Sequence, residues 1–312
     1  MKNSLFAFTA LTVSLLASCG SKTDGSWLTA DDVRVAADET FAPILEEEAQ
    51  AFGLRNVEAT MKMLYVSEDS ALHMLRDDSV QMAIVTRGLT DKEQDFFKAN
   101  RRSALQAVIA KDAFALIVDK QSADTLFTLD DLRGIVSGKI TRWEQLSHSK
   151  RTGELRLVFD KSGSSTVRFM RDSLNNGQPL SGNVYAQGSS EAVIQAVKGT
   201  PGVIGVVGVD WLRAGADSTL HDFNGLDVQV ARVSRYADDE RADYVRPWQM
   251  YIGQLRYPLT RNVYAITTDP RSKSMLKNFY FFLKGENGQR IICNSSQMMP
   301  NSPVFVKTVA VK

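Results

Sequence analysis

The stretch Leu155-Arg156-Leu157-Val158-Phe159-Asp160-Lys161-Ser162-Gly163-Ser164-Ser165-Thr166-Val167-Arg168 opens as a short apolar strand, breaks at a Gly/Ser/Thr turn and resumes as a helix. Such a turn presents backbone N–H groups and hydroxyls at a helix N-terminus, where amides without intrahelical partners attract an anion. Asp160, Ser164, Ser165 and Thr166 are therefore candidate ligand-binding residues. The plainer alternatives are a Ser-rich cap with no ligand, and an Asp160 that only caps its own turn through Ser162 or Gly163. The turn lacks Gly-Lys-Ser/Thr, so nucleotide hydrolysis is not implied.

Working outward, short apolar strands alternate with amphipathic helices. Towards the N-terminus, strands are expected at Val33 to Ala36, Val57 to Tyr65 and Val80 to Val85. Helices are expected at Pro43 to Phe52, Asp69 to Arg76 and Asp91 to Ala99. The rhythm restarts after the strand Phe114 to Val118, with helices at Leu129 to Val136, Thr166 to Leu174 and Glu191 to Val197 and a strand at Val203 to Val207. A strand at Val263 to Thr267 and a helix at Met275 to Leu283 follow. This βαβα order predicts an α/β fold with a mainly parallel sheet and helices on both faces. Two such units predict two lobes: residues 27–115 with 258–312, and residues 116–257.

Ligands of open α/β sheets sit at the carboxyl ends of strands. Three further strand ends carry suitable residues. In Ala37-Asp38-Glu39-Thr40-Phe41-Ala42-Pro43, Thr40 is placed to cap the helix that Pro43 opens. In Tyr65-Val66-Ser67-Glu68-Asp69-Ser70, Ser67 is a cap that also offers a hydroxyl to a ligand. In Val85-Thr86-Arg87-Gly88, Arg87 directly follows the strand, and a guanidinium binds an oxyanion through two donors at once. An ordinary surface arginine is the alternative there.

The 312 residues suffice for two domains with real cores, and the net charge is +1. That balance argues against nucleic acid as a partner but not against one small anion. The histidines His73, His148 and His221 are scattered, so no metal site is implied, and neither is a cofactor. Residues 1–18 read as a signal peptide: Lys2, an apolar run from Leu5 to Leu16, then Leu16-Ala17-Ser18-Cys19. The small residues before Cys19 match a bacterial lipobox, which marks Cys19 for lipidation and residues 19–26 as a tether; simple secretion is the alternative. With Cys19 lipidated, Cys293 has no disulfide partner.

Five segments, in order, carry a resemblance. Asp38-Glu39-Thr40-Phe41-Ala42-Pro43, the run Leu132 to Trp143, Asp160 to Thr166, Thr200 to Gly205 and Tyr257-Pro258-Leu259-Thr260-Arg261 resemble segments of the phosphate-binding proteins of ABC transporters. The resemblance implies the type II periplasmic binding protein fold, two α/β lobes joined by a two-strand hinge. It also implies a monomer that captures phosphate for a transporter permease and is not an enzyme, with Thr40, Phe41 and Ser67 joining the Ser164-Ser165-Thr166 turn at the ligand. Two positions depart from the pattern. The resembled loop opens with Arg where this chain has Asp160, and it has Asp after the third strand where this chain has Arg87. One reading is an exchange of acid and base, with Arg87 and Asp160 facing one ligand from opposite lobes, Arg87 holding oxygens and Asp160 accepting the proton of phosphate. Should Asp160 be structural, the acceptor is to be sought at Glu39 and Asp38. Another reading is a different oxyanion. A sensor or surface-interaction protein on the same fold is a further alternative, as is a phosphoester hydrolase, for which the sequence offers no metal cluster and no Ser-His-Asp arrangement.

Overall fold

A computed structural model describes residues 32–212, 223, 225–238 and 240–303. Cys19, the signal peptide, the tether and His221 lie outside the described residues.

The chain runs β1 (Asp32–Asp38), α1 (Ala42–Arg55), β2 (Thr60–Val66), α2 (Glu68–Arg76), β3 (Met82–Val85), α3 (Asp91–Ala99) and β4 (Leu105–Asp119). It continues through β5 (Leu126–Thr128), α4 (Leu129–Ser137), β6 (Arg156–Phe159), α5 (Ser165–Phe169), β7 (Val184–Ala186), α6 (Ser190–Gly199) and β8 (Val203–Gly208). It closes with β9 (Val228–Val230), β10 (Arg232–Ser234), α7 (Gln249–Gly253), β11 (Thr260–Thr267), α8 (Met275–Lys284), α9 (Glu286–Ser295) and β12 (Met299–Pro300).

The main sheet has the order β2-β1-β3-β11-β4-β8-β6-β7, with β9 and β12 also paired to β4. Parallel pairing lies at its two ends, β2-β1-β3 on one side and β8-β6-β7 on the other. The centre, around β4 and β11, is antiparallel. The fold is therefore a mixed α/β sheet clothed in helices. β4 changes partners along its length. Leu105 to Ala113 pair with β11, whereas Phe114 to Ile117 pair with β8 and Ile117 to Asp119 with β9. At the change the Phe114 amide donates to the Leu259 carbonyl at 2.9 Å, and the buried Tyr257 hydroxyl donates to the Phe114 carbonyl at 2.7 Å.

Strand and helix starts follow local chemistry. The second strand begins at Thr60 rather than Val57, which is 87% exposed and has no sheet face to bury. Thr128 and Thr90 open α4 and α3 with capping boxes to Asp131 and Glu93. The helix expected at Thr166 to Leu174 is α5 followed by a π-helical turn over Met170–Leu174. In β8, a Cβ at Gly205 would lie 2.7 Å from side-chain carbons of both Ile117 and Val197, so only glycine lets α6 settle on the sheet.

Candidate functional site

The carboxyl ends of β1 and β6 deliver two loops to one place. After β1, Asp38 accepts from the Thr40 amide at 3.0 Å and from the Thr40 hydroxyl at 2.5 Å, closing a 3-10 turn over Glu39–Phe41. Thr40 is thus not the cap of α1, as the sequence led us to expect. No side chain of the preceding turn caps that helix; its Ile44 amide donates instead to Asp210 at 2.7 Å. After β6, Ser164 is the N-cap of α5, accepting from the Val167 amide at 3.3 Å. The Ser164 and Thr166 hydroxyls both donate to Asp160, at 2.6 and 3.2 Å. The Asp69 amide donates to the Gly163 carbonyl at 3.4 Å, which brings the turn against the start of α2; Gly163 has φ +77°, and a Cβ there would lie within 4 Å of the Ser67 and Asp69 side chains.

The two loops meet at Arg261. This side chain, 4% exposed, donates to Ser165 Oγ at 2.5 Å and to Thr40 Oγ1 at 2.9 Å. Its charge is balanced by buried Asp112, 2.8 Å away on the neighbouring strand β4. The guanidinium lies 3.8 Å from the centroid of the Phe114 ring and 5.0 Å from that of Phe41, a stacked cation–aromatic arrangement. The Ser165 amide donates to Asp38 at 3.1 Å, so Asp38 joins both loops. Thr40, Phe41, Asp160, Ser164, Ser165 and Thr166 are each at most 2% exposed.

Around this centre stand more acids. Glu39 accepts from the amide and hydroxyl of Ser190, the first residue of α6, at 3.4 and 3.3 Å. Burial holds its carboxyl above the usual range, against the pull of the Ser190 amide and Lys161. Burial also pushes Asp160 up to about 6; the neighbouring charges of Asp38 and Glu39 act in the same direction, while the Ser164 hydroxyl and the Lys161 amide oppose it. Buried Glu68 accepts from Thr86 Oγ1 at 2.8 Å and from Arg168 at 3.2 Å, and Arg168 also donates to Thr86 Oγ1 at 2.6 Å.

The geometry unites Thr40, Phe41, Asp160, Ser164, Ser165 and Thr166. Ser67 lies at the edge, capping α2 through the Ser70 amide at 3.3 Å. Arg87 goes elsewhere. Both its Nη atoms donate to Glu93, at 2.7 and 2.8 Å, and Nη1 also donates to the Gly88 carbonyl. It lines a pocket between α2 and α3 with His73, Lys92 and Phe96. The cationic side chains of the cluster are Arg261 and Arg168, which sequence reading did not single out. Arg261 carried one signal, its place at the end of the Tyr257-Pro258-Leu259-Thr260-Arg261 segment of the resemblance; its pairing with Asp112 comes only with the fold. Among the described residues no group of three or more His, Cys, Asp or Glu is arranged to hold a metal ion.

Residues 22–286 match the family model described as the PBP superfamily domain. Over 112 residues the chain is 21% identical to phosphate-binding protein PstS 2 of Streptococcus pneumoniae, a match that spans 36% of each chain. In three dimensions it resembles a putative phosphate ABC transporter substrate-binding protein with bound phosphate from Clostridium perfringens (TM-score 0.70, 18% identity, covering 87% of this chain and 100% of that one). It also resembles an ABC-type phosphate transport receptor from Vibrio cholerae (TM-score 0.63, 19% identity, 86% and 100% covered). At such identities the likeness is one of fold.

Proposed function

Because the chain belongs to the PBP superfamily, we propose that it is an extracytoplasmic, non-catalytic solute-binding protein that captures inorganic phosphate for an ABC-type importer. The observation that carries this reading is the convergence of the Ser164-Ser165-Thr166 turn, Thr40 and the Arg261 guanidinium, all buried. Amides, hydroxyls and one fixed cation in a dry setting are the donors a small oxyanion requires. The resemblance to phosphate-binding relatives supports the choice of anion.

In this reading residues 27–115 with 258–312 form one lobe and residues 116–257 the other. The partner change of β4 between Ala113 and Phe114 is the natural hinge, and the ligand closes the lobes as a monomer. Lipid on Cys19 retains the protein at the membrane; no helix among the described residues is long and apolar enough to cross one. Cys19→Ser should move the protein to the soluble fraction, and a variant that survives detergent-free washing on the membrane refutes the anchor.

Titration calorimetry of the full chain with phosphate and sulfate tests the function. Phosphate should bind and Ser164→Ala/Thr166→Ala should weaken it at least tenfold, the worth of about one charge-assisted hydrogen bond. No heat with phosphate, or release of phosphate from a chromogenic ester, overturns the reading. The two departures from the resembled pattern, Asp160 at the turn and an Arg87 engaged by Glu93, favour a second reading in which another oxyanion is preferred; the same titration against other oxyanions decides between them.

A further inference from the structure

Three carboxylates each reach across the fold to the start of a helix far away in sequence. Asp38 accepts from the amide of Ser165, the first residue of α5, 127 positions on. Glu39 accepts from the amide and hydroxyl of Ser190, the first residue of α6, 151 positions on. Asp210 accepts from the Ile44 amide in the first turn of α1, 166 positions away. Amides at helix starts lack intrahelical partners and carry the positive end of the helix dipole, so a carboxylate placed there satisfies them as a bound anion would. Asp38 does more than cap. Its two oxygens join the Thr40 amide and hydroxyl to the Ser165 amide, the donors on which the proposed oxyanion site depends.

We propose that Asp38 is an internal stand-in for the ligand anion: its carboxylate occupies the Thr40 and Ser165 amides, holds the two loops together without ligand, and must be displaced when phosphate enters. Glu39 acts in the same way at Ser190. This inference rests on the Ser164-Ser165-Thr166 turn being the ligand site. The internal carboxylate lowers affinity for phosphate, because part of the binding free energy is spent in removing a contact of the same kind. It also sets selectivity, since a weakly accepting anion cannot compete with a tethered carboxylate.

The test uses Asp38→Asn in the full chain. Asn keeps the shape and an oxygen for the Thr40 amide but removes the charge. Amide hydrogen exchange of ligand-free protein, read at Ser165, reports the contact directly. Exchange there should rise by roughly tenfold or more, and phosphate should restore protection. Calorimetry should show phosphate binding tightened by roughly ten- to a hundredfold, the worth of one charge-assisted hydrogen bond no longer competed for. Unchanged exchange at Ser165 in the folded variant overturns the proposal, whatever phosphate does. Faster exchange with weaker phosphate binding makes Asp38 a ligand contact and overturns it as well. Faster exchange with no phosphate binding in either protein keeps the internal contact and overturns the phosphate reading instead. If Asp38→Asn does not fold, Glu39→Gln read at the Ser190 amide serves in its place: faster exchange with tighter phosphate binding supports the proposal, and an unchanged amide overturns it.

Discussion

Replacing Arg261 with Met keeps most of the side chain's stem and removes its charge. Asp112 then stays buried on β4 without its cation, and the Thr40 and Ser165 hydroxyls lose a common donor. Removing one partner of a buried pair costs about 3–5 kcal/mol, most of it the uncompensated charge left behind. Loss of the cation over the Phe114 ring, at 3.8 Å, adds to the same side. At roughly 2–4 °C per kcal/mol for a chain of this size, the melting temperature should fall by roughly 6–20 °C. The assay is urea unfolding in phosphate-free buffer. Its pH dependence has a definite sign. Burial already holds the Asp112 carboxyl above its usual value, with Arg261 opposing; without Arg261 it rises further. A raised carboxyl favours the folded state at low pH and loses that contribution as pH climbs through the folded value. The deficit of Arg261→Met should therefore be smaller at pH ~5 than at pH ~8. Adding Asp112→Ala removes the stranded charge, so the double variant should lose clearly less than the two single losses together. A single variant that loses under about 1 kcal/mol, far below the cost of breaking a buried pair, or a double variant that is additive, would refute the account of Arg261 as a buried cation held by Asp112.

Two other acids titrate in opposite halves of the pH scale. Asp160, raised from 3.8 to about 6 by burial, lends stability that is complete below its unfolded value and fades as pH rises through about 6, by ~3 kcal/mol in all. Asp160→Asn should flatten that part of the curve in urea titrations between pH 4 and 7, and an unaltered slope counts against it. Glu48, inside α1, has neither carboxyl oxygen hydrogen-bonded and is pushed up to about 9 by burial. Its contribution is lost as pH rises through about 9. Glu48→Leu should stabilise the protein by about 1–3 kcal/mol at neutral pH, the cost of a buried unsatisfied group, and abolish the decline in alkali. A destabilised variant would mean that the carboxyl has a partner.

What the sequence makes legible is what local chemistry decides. Leu157, Val158 and Phe159 read as a buried strand and are one, and Ser164 sits where a helix cap is expected. Short elements such as β5, β7 and β10 escape, because three residues offer no periodicity to read. The full length of β4 escapes because Lys111-Asp112 interrupts its apolar run. Only the pairing with Arg261, 149 positions on, makes that acid tolerable inside a sheet. Arg87 shows a local rule overridden by another local rule. A strand end was expected to aim it at the ligand, but the capping box at Thr90 and Glu93 fixes a carboxylate six residues further on, and that carboxylate takes both guanidinium arms. The Thr-x-x-Glu spacing was visible in the sequence; its reach back to Arg87 was not.

The cluster therefore balances charge differently from a swap of Asp160 with Arg87. Arg261 is matched by Asp112, and Arg168 by Glu68. Asp38, Glu39 and Asp160 remain beside the turn, with Lys161 acting on Glu39 from nearby. A dianion entering among three carboxylates meets like charge at close range, which disfavours it. Burial relieves part of that conflict by holding Glu39 and Asp160 closer to neutrality than free acids. The rest is relieved when a carboxylate leaves its amides or when the ligand brings a proton to share. Phosphate supplies such protons and sulfate near neutral pH does not, so an acid-lined site selects through proton donation where a cation-lined one selects through charge. On the proposed function, the central guanidinium, paired with Asp112, also fixes the Thr40 and Ser165 hydroxyls, so that its charge and those hydroxyls are presented to the anion together with the turn amides.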